Sequence, residues 1–383
     1  MIYLDNAATT FPKPQCVLQA VQRCLRCYAA NPGRAGHALA AMADETVFET
    51  RRALAAFFGA DVTRTAFCFN CTHAINTALK GVLQKGDHVI ISSLEHNAVL
   101  RPLEHLRQNG VIEYDILQVA PENDVLTLQR AAALIQPQTR LLFVTHVSNV
   151  FGTVLPIRKL AALANAHGIL FGVDAAQSAG VFDLNLQADA IDLLCIPGHK
   201  GLFGPMGTGA LLFSTKVTPA PLLQGGTGSL SLEKQQPDVL PDQFESGTLN
   251  LPGIAGLSAG LRFLKQTGTA AIRAHEAELI SSLREDLSVI SGVRLYDELR
   301  SAQPQTLLSF SVASMSSEEV GSALNQFGFA VRAGFHCAAL AHTRHGSSES
   351  GTVRVSPSVF NTKKQIKSLS FCINQIAKRH FLC

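Results

Sequence analysis

Three short stretches of the 383-residue chain carry side chains that could do chemistry together. In Gly172-Val173-Asp174-Ala175-Ala176-Gln177 an apolar run ends in a carboxylate, with a carboxamide three residues on. An acid at a strand end more often caps the next helix. A buried one needs a cationic partner or strong donors. In Pro197-Gly198-His199-Lys200-Gly201 a lysine follows another apolar run and is bracketed by glycines, which let a backbone approach a bulky ligand closely. Such a lysine is commonly a solvated loop residue; a desolvated one can form a Schiff base. In Asn70-Cys71-Thr72-His73-Ala74 a strand turns into a helix, where Thr72 and free N–H groups can hold a phosphate. His96 (Leu94-Glu95-His96-Asn97) and Asn149 (Val147-Ser148-Asn149-Val150) end two further strands on the same edge. An imidazole there can stack on an aromatic ring. Each motif is weak alone. Together they supply what pyridoxal 5′-phosphate (PLP) requires: a lysine, an acid for the pyridine nitrogen and a phosphate cup.

The elements that must position these residues alternate. Strands are expected at 66–69, 88–92, 111–117, 140–145, 169–173, 191–196 and 209–213. Helices are expected at 39–58, 72–84, 97–109, 127–135 and 156–167, with Gly168 as a stop signal for the last. Strand–helix alternation of this kind predicts a mainly parallel sheet covered by helices on both faces, with ligands beyond the carboxyl ends of the strands. After residue 250 the pattern changes to helices at 252–266 and 270–290, strands near 293–296, 307–312 and 353–356, and a last helix at 362–379. That predicts a smaller α+β unit. Residues 225–248 read as a long ordered loop and 342–351 as a mobile one.

Composition narrows the class. Hydrophobic residues make up 47 % and charged residues 16 %, which suits a globular chain with material for two cores. No apolar run is long enough to span a bilayer, and the first residues lack the basic and apolar regions of a signal peptide. A cytoplasmic location is the expectation. The net charge of +3 is mild and scattered, so no nucleic-acid surface is expected.

Nine cysteines include two CxxC pairs, Cys24/Cys27 and Cys68/Cys71. The first pair falls in a helical pattern, Cys68 falls in a strand, and the pairs stand far apart in sequence, so no metal site is expected. Cys337 differs. A free cysteine is usually a small buried hydrophobe, but this one follows Gly334-Phe335-His336 in a loop with Arg332 nearby. An electropositive, partly exposed setting makes a thiol reactive.

The chain resembles the cysteine desulfurases and selenocysteine lyases of the class V aminotransferase fold. Tyr3-Leu4-Asp5-Asn6-Ala7-Ala8-Thr9-Thr10 is similar to the family's opening. Asn31-Pro32-Gly33-Arg34, Glu95-His96-Asn97, His146-Val147-Ser148-Asn149, the Asp174/Gln177 pair and Gly198-His199-Lys200 follow in family order. Glu245-Ser246-Gly247-Thr248, then Arg332-Ala333-Gly334-Phe335-His336-Cys337, then Arg354 with Asn361-Thr362, complete the set, which covers essentially the whole chain. The resemblance implies an α/β, PLP-dependent transferase of fold type I. A large mainly parallel-sheet domain sandwiched by helices (16–250) would be joined to a smaller α+β domain (251–383), with residues 1–15 packing near the latter.

It also implies roles. Lys200 would carry the Schiff base and move the α-proton, Asp174 would bind the pyridinium nitrogen, and Gln177 the phenolic oxygen. His96 would stack on the ring and act in catalysis. Cys71, Thr72, His73, His199 and Asn149 would contribute to the cofactor site, with Thr248 reaching in from a second subunit. Arg354 would clamp the substrate carboxylate, helped by Arg332, Asn149, Ala8 and Arg34. Cys337 would take the substrate sulfur as a persulfide. The implied reaction is L-cysteine to L-alanine, with L-selenocysteine as the alternative substrate, a sulfur-acceptor protein as partner and a homodimer as the assembly. Two departures stand out. The phosphate-binding Ser of many relatives is Pro197 here, which offers neither hydroxyl nor N–H. The loop after Cys337 is short and resembles that of the group stimulated by an acceptor protein. An aminotransferase or lyase acting on another amino acid would keep Lys200 and Asp174 but have no use for Cys337. A scaffold or sulfur-relay component with weak catalysis is the third reading.

Overall fold

The computed structural model describes residues 1–33, 36–296 and 304–380. A short strand, β1 (Ile2–Tyr3), precedes helices α1 (Gln15–Cys27) and α2 (Ala38–Phe58). Strands and helices then alternate: β2 (Thr65–Cys68), α3 (Cys71–Val82), β3 (Asp87–Ser92), α4 (Asn97–Gln108), β4 (Ile112–Leu117), α5 (Asp124–Ala133), β5 (Thr139–Thr145), α6 (Ile157–Ala166), β6 (Leu170–Asp174), β7 (Leu193–Pro197) and β8 (Gly209–Phe213). After a long loop come α7 (Leu251–Thr267), α8 (Thr269–Ser288), β9 (Val293–Leu295), β10 (Leu308–Val312), α9 (Ser317–Gln326), β11 (Phe329–Ala330), β12 (Arg332–Gly334), α10 (Ala339–His345), β13 (Thr352–Val355) and α11 (Lys363–His380).

The main sheet has the order β2-β8-β7-β6-β5-β3-β4. Only β8 runs against its neighbours; β3, β4, β5, β6 and β7 pair in parallel. The α/β class and mainly parallel sheet expected from the alternation are what the chain builds. The pleat explains why the strands read as continuous apolar runs. In β5, Leu142 and Val144 face one core while Leu141 and Phe143 face the other, so both faces are covered and both parities must be apolar. The carboxyl ends of β3, β5, β6 and β7 then emerge along one edge, with Asp174 at the end of β6 and His96, Asn149 and Lys200 in the loops leaving β3, β5 and β7.

A second, antiparallel sheet has the order β12-β13-β10-β9. Leu279, Leu283, Phe310, Val355, Ile366 and Ile373 form its core. The N-terminal segment belongs to this side: β1 pairs with β11, Asp5 bridges to Ser356, and Leu4 is buried in the same core. The sequence pattern placed the start of the small unit at 251, but Leu251, Ile254, Leu257 and Leu261 of α7 pack into the first core with Leu54 and Phe58 of α2. The first core reaches Ile272 at the start of α8, while Leu279, Ile280, Leu283 and Leu287 of the same helix belong to the second. Residues 342–351, expected as a mobile loop, begin with the second half of α10, and His342 is buried against Ser347. Among the described residues no helix is long and apolar enough to cross a membrane.

The loop before α7 is tied down by a buried ion pair. Arg51 of α2 grips Glu245 through both terminal nitrogens, with Nη2 2.8 Å from Oε2. Glu245 also accepts from the Phe67 backbone N–H at 2.7 Å, and Arg51 donates to the Thr65 carbonyl at 2.7 Å. Both side chains are less than a tenth exposed. Removing one partner strands the other charge in low dielectric. Arg51→Met should lower the unfolding free energy by about 3–5 kcal/mol in denaturant titration, and a loss under ~1 kcal/mol would contradict this reading of the pair.

Candidate active site

Asp174 is the last residue of β6 and only 2 % exposed. Its Oδ1 accepts from the Ala176 N–H at 2.8 Å and from the Cys71 thiol at 3.4 Å. Burial, reinforced by Asp174, pushes the Cys71 thiol well up, so it remains a protonated donor. Lys200 stands three residues beyond the end of β7. Its side chain is half-buried by area, yet enclosed enough that desolvation pulls the ammonium below its ordinary range, with Asp174 opposing the shift. Among the described residues nothing forms an ion pair with it, and it stands between two cavities.

One of these cavities gathers most of the expected set: Cys71, Thr72, His96, Asn149, Asp174, Gln177, His199 and Lys200. Its far wall is the start of α3. Asn70 Oδ1 caps the His73 N–H at 2.9 Å, which leaves the N–H groups of Cys71 and Thr72 available to an anion. Pro197 lines the same cavity. His96 caps α4, its Nδ1 accepting from the Ala98 N–H at 3.0 Å, so the ring proton belongs on Nε2. Burial holds this imidazole below its ordinary range, against a smaller opposing pull from Asp174. Gln177 donates to the Ala7 carbonyl at 3.0 Å.

The glycines around Lys200 have a role other than the one expected. A Cβ on Gly198 would lie 2.1 Å from Thr208 Oγ1, and one on Gly201 would lie 2.3 Å from the Ala179 carbonyl. They permit close packing of the protein on itself, and this fixes the lysine's backbone. The N-terminal segment adds a second constraint. The His199 carbonyl accepts from the Thr10 N–H at 3.2 Å, Thr9 Oγ1 at 3.1 Å, Thr10 Oγ1 at 3.2 Å and Lys13 Nζ at 2.7 Å. His199 Nδ1 lies 3.1 Å from Thr9 Oγ1. Burial pulls Lys13 down to about 8 and, with help from Lys200 and Lys13, His199 down to about 4. Thr9, Thr10 and Lys13 were not singled out from the sequence. Their only signal was to stand within or just beyond the opening motif.

Cys337 does not line the cup, but its loop is bonded to residues beside it. It is exposed, and it and His336 hold left-handed backbone angles, with φ +56° and +50°. Such angles persist in non-glycine residues only where surrounding bonds impose them. Here the Asn97 N–H donates to the Cys337 carbonyl at 2.7 Å, and Asn149 Nδ2 donates to the His336 carbonyl at 2.7 Å. The buried His336 ring lies 3.0 Å from the Thr352 carbonyl. The cysteine loop is thus pinned to the helix that His96 caps and to the loop that carries Asn149. Arg354, from β13, is buried; its Nη2 bonds Asp5 at 2.6 Å and its Nη1 bonds the Asn149 carbonyl at 2.8 Å. Among the described residues its Nε has no partner, so the guanidinium keeps a donor free. Arg332 pairs across the strands with Arg354 and is exposed.

Three expected residues, His73, Thr248 and Ala8, do not line the cup. His73 stacks on Phe69 at 5.2 Å and lines a different cavity, together with Thr248. Ala8 follows Ala7, whose N–H is held by Ser356 at 2.9 Å, and does not line the cup. Arg34 lies outside the described residues.

The chain matches the aminotransferase class-V family over residues 2–369. It is 35 % identical, over 98 % of its length and 94 % of the relative's, to a protein from Methanothermobacter thermautotrophicus named "Probable cysteine desulfurase". The structure of the cysteine desulfurase from Thermococcus onnurineus superposes with a TM-score of 0.92 at 30 % identity, covering 98 % of this chain and 94 % of that one. The cysteine desulfurase CsdA from Escherichia coli superposes with a TM-score of 0.88 at 28 % identity, covering 98 % and 94 %. With the match running almost end to end, the chain belongs to the aminotransferase class-V family.

Proposed function

We propose that the protein is a PLP-dependent cysteine desulfurase that converts L-cysteine to L-alanine and keeps the sulfur as a persulfide on Cys337. The observation that carries this reading is exposed Cys337, in a loop whose His336 and Cys337 carbonyls are bonded by Asn149 and Asn97, beside a cup that contains Lys200 and Asp174. An aminotransferase acting on another amino acid needs the cup but not the thiol.

The residues of the cup fit PLP. A buried carboxylate, already steadied by two donors, suits a pyridinium nitrogen. The open N–H groups at the start of α3 suit a phosphate, and the orphaned donor of Arg354 suits a carboxylate. Pro197 takes no part in phosphate binding, so Thr72, His199 and the helix start carry it, with Thr248 of a second copy as the added group. Thr248 is exposed and faces away from its own chain's cup, which is the placement a cross-subunit role requires. When bound, PLP supplies an electron sink for charge developing at the substrate Cα.

The protein's own side chains divide the remaining work. Arg354 orients the substrate carboxylate, with exposed Arg332 beside it. Lys200, its ammonium destabilised by burial, can become the neutral amine that accepts the α-proton. His96, neutral with its proton on Nε2, would lie beside the cofactor and offer a hydrogen-bond donor. The Cys337 thiolate forms the S–S bond to the substrate sulfur as the Cβ–S bond breaks, and that bond's electron pair stays with the departing carbon, which takes a proton. Sulfur then leaves Cys337 for an acceptor thiol, which the exposed position of the loop favours.

Three outcomes follow. The purified protein with PLP and a thiol reductant should form alanine from L-cysteine, and Cys337→Ala should reduce this to background while cofactor absorbance is retained. Equal alanine from both would transfer the site to the aminotransferase reading. Lys200→Ala should cost roughly 10²–10⁴-fold in turnover, the range for loss of a general acid–base group, and a smaller loss would remove Lys200 from that role. Sedimentation should give twice the 41.0 kDa chain mass, and a monomer with full activity would exclude a cross-subunit Thr248.

A further inference from the structure

The cup is one of two cavities that meet at Lys200. The second shares Lys200, Ala176 and Gln177 with the cup but runs toward the small core. Asn6, Thr10, Thr306 and Ser356 give it a partly polar wall. At its α8 wall stands Glu276, one turn beyond Ile272, which lines the same space. Glu276 is 7 % exposed, and among the described residues no hydrogen bond or ion pair reaches its carboxyl. Burial alone pushes this acid up to about 8, so it holds its proton at neutral pH.

A buried carboxyl without a protein partner is costly unless water satisfies it. The cavity has room for on the order of two or three waters. Among the described residues, Lys200 is the only other titratable one that lines this cavity. The reading of Lys200 as the group that moves the substrate α-proton creates a need that this geometry meets. With substrate in the cup, the second cavity offers the lysine's proton a separate route.

On that reading, we propose that Glu276 is a relay residue that exchanges protons with the Lys200 amine through water held in the second cavity. The step is proton transfer alone. The Glu276 acid gives a proton to a cavity water, a proton passes from water to the neutral amine, and the reverse sequence empties the ammonium. No electrons move and no co-reactant is required. Glu276 touches neither substrate nor cofactor, and its effect is on how fast the lysine exchanges.

Wash-out of deuterium from the Cα of L-alanine, followed by NMR in ordinary water with PLP bound, reads this exchange directly. It needs Lys200 and the cofactor but not Cys337. A protein that exchanges alanine yet makes none from cysteine would overturn the desulfurase reading and leave the relay standing. Glu276→Gln keeps the shape and removes the acid. It should slow wash-out by about tenfold or more, with cofactor absorbance and affinity for alanine unchanged. Should glutamine not be accepted at this buried position, Glu276→Ala serves, and added formate should restore its exchange, a rescue that a purely structural role would not give. Independently of any cofactor, the infrared difference between wild type and Glu276→Gln protein should show the C=O band of a protonated acid at neutral pH, lost well above pH 8. Absence of that band, equal wash-out rates, or no wash-out by the wild type overturns the proposal.

Discussion

The structure depends on one buried charge. Asp174 ends β6, in the middle of the main sheet, where a carboxylate is costly unless donors meet it. Two do: the Ala176 N–H from its own chain turn, and the Cys71 thiol from the start of α3. That second bond brings the helix start, with its open N–H groups and partial positive charge, into the same cup. The strands on either side, β5 and β7, place Asn149 and Lys200 next to it. Lys200 is poised between opposing effects of similar origin. Burial disfavours its charge, and Asp174 favours it. A group held this way gives up its proton more readily than an exposed lysine would.

The first thirteen residues act as a strap between the two cores. Asp5 holds Arg354, the Ala7 carbonyl holds Gln177, and Thr9, Thr10 and Lys13 converge on the carbonyl of His199. Each anchor lies beside a residue of the proposed cofactor or substrate site. The segment therefore positions Arg354, which comes from the small sheet, against Lys200, which comes from the large one. The two consecutive left-handed residues of the cysteine loop are held in the same manner, by bonds from Asn97 and Asn149.

Much of this was legible in the sequence because parallel strands covered on both faces must be apolar throughout, and the site residues stand where those runs stop. Asp174, Lys200, His96 and Thr72 could be placed on one edge by that rule alone. What escaped depended on packing that no periodicity reports. Helix α7 looks like the start of the small unit because the strand rhythm has ended, but its apolar face belongs to α1 and α2. The glycines flanking Lys200 looked like room for a ligand and instead admit Thr208 and Ala179. His73 stands next to Thr72 in sequence, yet one step along a helix turns it to Phe69 and away from the cup. Lys13 and Glu276 carry no motif of their own. Their importance lies in desolvation, which is a property of the surrounding fold.

The central claim is that Lys200, and not another amine, bonds the cofactor beside Asp174. Lys13 is the natural rival, since it lies within a few bonds of the same site and burial has pulled it down to about 8. Borohydride reduction of the PLP-loaded protein followed by peptide mass spectrometry decides between them. The account predicts the pyridoxyl mass on the peptide that contains Lys200. A label on Lys13, or one spread over surface lysines with none on Lys200, would contradict it.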